Sequence, residues 1–168
     1  IERLCSNTDS FGLVLTGNEI ANSLFGGAMV DTLLGGGGVD TLNGKDGDDR
    51  LDGGLGIDRL YGGTGADTFV LAATTADRDT LADVQSVDRF EVSAASFGGD
   101  LTVGSLAEDQ FCASSSGVAL DPGDRFVYNT SNGYLYFDAD GSDSGAATLV
   151  AMITGAPTIT AAQFDIVV

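Results

Sequence analysis

From Gly17 to Val70 the chain repeats every nine residues. Six consecutive units read GNEIANSLF, GGAMVDTLL, GGGGVDTLN, GKDGDDRLD, GGLGIDRLY and GGTGADTFV. Position six is Asn22, Asp31, Asp40, Asp49, Asp58 and Asp67, and position eight is Leu24, Leu33, Leu42, Leu51, Leu60 and Phe69. Disordered acidic tracts do not keep an apolar residue at every ninth place. Such a unit suits a six-residue glycine-rich turn followed by a three-residue strand whose position-eight side chain points inward. Two units then make one coil of eighteen residues. On this spacing Asp31, Asp49 and Asp67 stack on one edge, and Asn22, Asp40 and Asp58 on the other.

Glycine loses more backbone freedom on folding than any other residue, so a run such as GGGGVDTLN needs a reason. The reason is a turn that takes positive φ and brings its carbonyls close to something. Adjacent parallel strands lie about 4.8 Å apart and a calcium–oxygen bond is about 2.4 Å, so an ion midway between successive turns reaches both. Magnesium, at about 2.1 Å with strict octahedral geometry, suits a row of carbonyls poorly. The aspartates supply the charge.

The units resemble the G-G-x-G-x-D-x-U-x nonapeptide of the hemolysin-type, or RTX, family. The resemblance implies an all-β fold: a parallel β-roll, a right-handed β-helix of glycine-rich nonapeptides, followed here by a C-terminal antiparallel β cap. It also implies several calcium ions, four or more, held by turn carbonyls and by position-six aspartates that neighbouring ions share. Carried onto this chain, the ligands are Asp31, Asp40, Asp49, Asp58 and Asp67 with Gly35, Gly37, Gly44, Gly53, Gly54, Gly56, Gly62, Gly63 and Gly65. The segment RDTLADVQSVDRFEVSA, from Arg78 to Ala94, resembles the piece that follows the last nonapeptide in serralysin-type metalloproteases, which implies that Asp79 and Asp88 complete the last sites. Departures from the pattern are Asn22, Met29, Lys45, Glu19 and Ile20. The strongest sites are therefore expected between Asp40 and Asp58 and between Asp49 and Asp67, and those touching Asn22 are expected to be weak or empty.

The 168 residues carry a net charge of −18, which argues against nucleic acid, anionic lipid or a polyanionic glycan as partner and for cations. With no histidine, metals that prefer imidazole lose their commonest ligand, and neither a Ser-His-Asp triad nor an H-E-x-x-H zinc helix is available. No catalytic constellation remains, and the chain reads as non-enzymatic. Cys5 and Cys112 are expected to be buried, unpaired thiols, with a single long-range bridge between them as the alternative. No apolar run is long enough to span a membrane. Opening on Ile1 in mid-pattern, the chain reads as a piece of a longer protein with a passenger domain on its N-terminal side.

Residues 1 to 92 are expected to form the roll, with residues 1 to 16 as its N-terminal coil and a capping segment after Val70. Residues 93 to 168 form a β-rich region. There SLAEDQF carries a capping-box pattern from Ser105 to Glu108, Asn132-Gly133 signals a two-residue hairpin, and Thr160 caps a last helical turn. DADGSDS, from Asp138 to Ser144, lacks the glycine and glutamate of a calcium loop and reads as a turn. The final Asp165 to Val168 resembles the terminal motif of substrates of type I, ABC-transporter-driven secretion, and alone it reads equally as a last strand. The expected function is a calcium-binding module that folds outside a Gram-negative cell and supports type I secretion and stability of a larger secreted protein. An adhesive, glycan-binding or surface-layer module, with Tyr128, Tyr134 and Tyr136 as its aromatic patch, or the non-catalytic tail of a secreted hydrolase or polysaccharide-modifying enzyme, is the alternative.

Overall fold

A computed structural model describes residues 2–5, 11–141 and 147–168, with side chains from residue 11 onward. In chain order the strands are β1 (Glu2–Cys5), β2 (Val14–Thr16), β3 (Asn22–Phe25), β4 (Thr32–Leu34), β5 (Gly37–Gly38), β6 (Thr41–Asp46), β7 (Arg50–Asp52), β8 (Leu55–Gly56) and β9 (Arg59–Thr64). They continue with β10 (Thr68–Val70), β11 (Asp79–Leu81), β12 (Arg89–Ser93), β13 (Gly104–Ser105), β14 (Phe111–Ser114), β15 (Phe126–Asn129), β16 (Tyr134–Phe137), β17 (Thr148–Ile153) and β18 (Phe164–Val167). A single turn of helix, α1 (Ala94–Phe97), follows β12 and is capped by Ser93, whose side chain accepts from Ser96 N.

Apart from β5 and β8, which pair with each other, the strands fall into two sheets. One runs β1-β3-β6-β9-β11-β17-β16-β15-β14 and the other β13-β18-β12-β10-β7-β4-β2. Their parallel members form a solenoid of about six turns, in which β1 with β2 makes the first coil and β17 with β18 the last. The register aligns the position-eight residues in two inward columns: Leu24, Leu42, Leu60, Leu81 and Ile153 on the first sheet, and Leu15, Leu33, Leu51, Phe69, Phe90 and Phe164 on the second. Leu24, Leu33, Leu42, Leu51, Leu60 and Phe69 are all fully buried, each worth about 1.5–3 kcal/mol of apolar burial.

The C-terminal region is continuous with this core. β17 extends the first sheet in parallel from β11, β16 and β15 add antiparallel strands, and β14 joins β15 in parallel. On the second sheet β18 pairs in parallel with β12 and is covered by the antiparallel β13. The cap is thus mixed rather than antiparallel throughout. It is filled by aromatic rings, with Phe164 4.9 Å from Phe90 and 4.8 Å from Phe126, and Phe97 edge-on to Phe137 at 5.0 Å.

Three local expectations meet the structure differently. The capping box at Ser105 does not form, because Ser105 is held in β13 against Asp165; the helical turn is a short 3-10 segment, Glu108–Gln110, after Ala107, without a side-chain cap. The hairpin between β15 and β16 has a four-residue loop, since Asn129 pairs with Tyr134. Asn129 Oδ1 accepts from Ser131 N at 2.9 Å and Asn132 Oδ1 from Tyr134 N at 2.9 Å, two local turns that use the asparagines for more than a two-residue bend. Thr160, by contrast, forms the expected cap, paired with Gln163 over Ala161–Gln163. Cys112 is buried and free, whereas the side chain of Cys5 and residues 142–144 of DADGSDS lie outside the described residues.

Each complete turn takes positive φ at positions two and four: Gly36, Gly54 and Gly63 at 98°, 87° and 100°, and Gly38, Gly47, Gly56 and Gly65 at 113° to 132°. Lys45 occupies position two of its unit at φ 82°, where a side chain is strained. Lys45→Gly is expected to raise the unfolding free energy by about 1 kcal/mol, read as a higher urea midpoint in saturating calcium.

Candidate metal centre

The position-six residues form two columns, one on each edge, bound together by a repeated hydrogen bond. On one edge Asp31 Oδ1 accepts from Leu13 N at 2.7 Å, Asp49 Oδ1 from Asp31 N at 2.7 Å, Asp67 Oδ1 from Asp49 N at 2.9 Å, and Asp88 Oδ1 from Asp67 N at 3.1 Å. On the other, Asp40 Oδ1 accepts from Asn22 N at 2.7 Å, Asp58 Oδ1 from Asp40 N at 2.6 Å, and Asp79 Oδ1 from Asp58 N at 2.9 Å. Asp79 and Asp88 enter these columns at a separation of 21 residues instead of 18, so three extra residues before Asp79 are absorbed without loss of register. The second column stops because Asp79 faces Ala151 in the next coil.

The remaining oxygens point inward. Asp40, Asp49, Asp58 and Asp67 are almost wholly buried, and the Oδ2 of each has no hydrogen-bond partner. An unpartnered buried carboxylate oxygen is costly unless a cation or donor meets it. Carbonyls converge on the same places: a Cβ built on Gly35 falls within 3 Å of both Asp40 Oδ2 and Gly53 O, and one on Gly44 within 3 Å of both Asp49 Oδ2 and Gly62 O. On Gly53 it meets Asp58 Oδ2 and Asp79 Oδ2 together. Gly54, Gly56, Gly63 and Gly65 each stack directly over the carbonyl of the residue eighteen before, namely Gly36, Gly38, Lys45 and Gly47. Gly37 lies in β5, which pairs in parallel with β8, turn on turn. Glycine is needed here because any side chain would fill the cradle.

No three acidic or cysteine side chains converge among the described residues. A site here therefore consists of one or two carboxylates and a set of backbone carbonyls, all oxygen, which is the donor chemistry of calcium. Asp31, Asp40, Asp49, Asp58, Asp67, Asp79 and Asp88 and the position-one glycines Gly35, Gly44, Gly53 and Gly62 are thus brought to the two edges. Sequence reasoning did not single out Asp77 or Asp83. Asp77 Oδ1 accepts from Gly56 N at 3.0 Å, and Asp83 takes Gly62 N at 2.9 Å and Gly63 N at 3.2 Å. The signal that finds them is the offset of 21 residues already set by Asp79 and Asp88.

Residues 16–51 and 43–73 match the family model of the RTX calcium-binding nonapeptide repeat, built from four copies. Among solved structures the chain is similar to the AlgE6R3 subunit of the Azotobacter vinelandii mannuronan C5-epimerase, with a TM-score of 0.57 and 28% identity over 89% of this chain and 80% of that one. It is also similar to the AlgE6R2 subunit of the same enzyme, with a TM-score of 0.51 and 24% identity over 89% of this chain and 90% of that one, a likeness that speaks for the fold alone. No curated protein sequence matches the chain. The chain carries an RTX β-roll with calcium-binding repeats.

Without metal, burial drives the buried carboxyls up from their ordinary 3.8, to about 7 at Asp49, about 6 at Asp58 and Asp67, and about 8 at Asp79, with neighbouring carboxylates adding to the rise. A group that binds its proton more tightly folded than unfolded destabilises the fold fully above its folded value and ceases to do so below its unfolded one. In calcium-free buffer the chain, open at neutral pH, is therefore expected to gain β structure as pH falls from about 8 to about 4, the reverse of ordinary acid denaturation. Over the same range protons compete with calcium, so the calcium midpoint weakens. Far-ultraviolet circular dichroism against pH in chelator, and calcium titrations at several pH values, check both arms.

Proposed function

We propose that this chain is a calcium-driven folding module of a larger secreted protein, not itself catalytic, whose acidic turns stay open at low calcium and close in the millimolar calcium outside the cell. The observation that carries this reading is the set of four buried carboxylate oxygens without a partner. When bound, calcium supplies the positive charge and the coordination that these oxygens and the turn carbonyls lack. Binding restricted to the folded state adds to folding free energy, so ion binding and closure of the roll are one event. The likeness to a subunit of an epimerase supports a place beside a separate catalytic domain.

The expected result of titrating the calcium-free chain is a cooperative gain of β signal in far-ultraviolet circular dichroism with calcium and not with magnesium. Asp49→Ala and Asp58→Ala weaken this response strongly, and Asp138→Ala, at a turn after β16, leaves it nearly unchanged. A spectrum already folded in chelator, or Asp138→Ala as the most damaging change, overturns the reading.

Export by a type I ABC transporter through the last four residues belongs to the same proposal. Those residues lie in and just beyond β18, where Ile166 is buried and Asp165 pairs with Arg89 at 3.2 Å. Deleting them would remove core as well as signal, so the cleaner change is Val167→Ser with Val168→Ser, on a half-buried and an exposed residue. Secretion of the chain from cells carrying a type I exporter is expected to fall severalfold while the calcium midpoint stays unchanged; unchanged secretion removes the export role.

A glycan-binding role is a second reading. It is favoured by the outer face of the first sheet, where Arg59 lies 5.2 Å over the Tyr61 ring and Tyr134 and Tyr136 are 6.4 Å apart, while Tyr128 is withdrawn into the core with its hydroxyl on Pro157 O at 2.9 Å.

A further inference from the structure

The six position-six residues and their two successors, Asp79 and Asp88, hold equivalent places in the columns, but their remaining side-chain atoms divide them into two kinds. At the ends of the columns those atoms are used by the residue's own turn. Asp31 Oδ2 accepts from Gly27 N at 2.5 Å, and Asp88 Oδ2 accepts from Gln85 N at 2.7 Å. Asn22 Oδ1 accepts from Asn18 N at 2.8 Å, and its amide donates to Asn18 Oδ1 at 3.2 Å. In the middle, Asp40, Asp49, Asp58 and Asp67, each 1% exposed or less, leave the corresponding oxygen unpartnered.

Resting on the calcium reading above, we propose that the roll holds its ions only along the central stretch and locks its ends without metal. Asp40, Asp49, Asp58 and Asp67 are the ion-facing carboxylates, joined by Asp79, whose Oδ2 shares the Gly53 cradle with Asp58. Asn22, Asp31 and Asp88 are staples. A staple needs an oxygen that accepts an N–H and needs no charge, which is why an amide serves at position 22. An ion-facing place needs charge, because its oxygen has no donor from the protein and would otherwise be buried bare. The metal-free staples close the coils at which ions would otherwise be lost by fraying of the column ends. Asp31 and Asp88 thereby leave the ligand set that the repeat alone suggests.

The test is calcium stoichiometry by equilibrium dialysis, with the folding midpoint by circular dichroism, on the full chain and on Asp31→Asn, Asp88→Asn, Asp49→Asn and Asp58→Asn. Asp31→Asn and Asp88→Asn are expected to bind as many ions as the parent chain, with midpoints moved only by the one N–H···O bond that an amide gives up, about severalfold at most. Asp49→Asn and Asp58→Asn are each expected to lose at least one ion and to shift the midpoint by about tenfold or more. Loss of an ion, a tenfold shift, or failure to fold in saturating calcium in either Asp31→Asn or Asp88→Asn overturns the division. A parent chain that binds no calcium instead overturns the calcium reading itself, so the two failures are told apart.

Discussion

One contact sets the geometry of this protein: a carboxylate oxygen of one coil accepting the backbone N–H of the equivalent residue one coil earlier. Repeated on both edges at 2.6 to 3.1 Å, it ties each coil to the last and fixes the side chain's orientation. Because one oxygen is held by the backbone, the other has a fixed direction, inward and away from water. The glycines follow from this, since carboxylate and carbonyl crowd the space that a side chain would need. So do the raised pKa values, which record what it costs to bury a column of like charges with no counter-ion present.

The columns and the inward leucines were legible because each depends on a single spacing. A period of nine places Leu24 to Phe69 in the core and Asp31 to Asp67 on the edges, with nothing else needed. Asp79 and Asp88 were legible through the family resemblance, and the structure explains how they keep register across an added three residues. Asp77 and Asp83 were missed because they stand at turn positions that glycine fills elsewhere, so the repeat gave them no template. The sixth coil was not legible at all. β17 and β18 carry no glycine period, and Ala151 stands where an acid would complete the pattern. Only stacking against Leu81 and Phe90 reveals them as coils.

The same arrangement shows how a parallel solenoid is brought to an end. A parallel coil leaves a row of unpaired backbone groups at each terminus. Here the first sheet passes through β17 into the antiparallel β16, and the second is covered by β13, so the last parallel coil, β17 with β18, is covered on both sheets. The second sheet's apolar column finishes in phenylalanines, Phe90 and Phe164, rather than in another leucine. That change of side chain matches the change of architecture, because wide rings fill the space where the sheets cease to repeat.

The late return of β17 and β18 has a consequence for the order of assembly. Contacts within the nonapeptide coils span 18 residues, whereas Gln163, which secures the last coil by donating to Asp88 O at 3.1 Å, bridges 75. Short loops close sooner than long ones, and the entropic toll grows with the length enclosed. The glycine coils are thus free to zip one upon the next, while the terminal coil waits for its long loop to close. Until that long loop closes, the roll is nearly finished with one open end, and its final strand acts as the bolt.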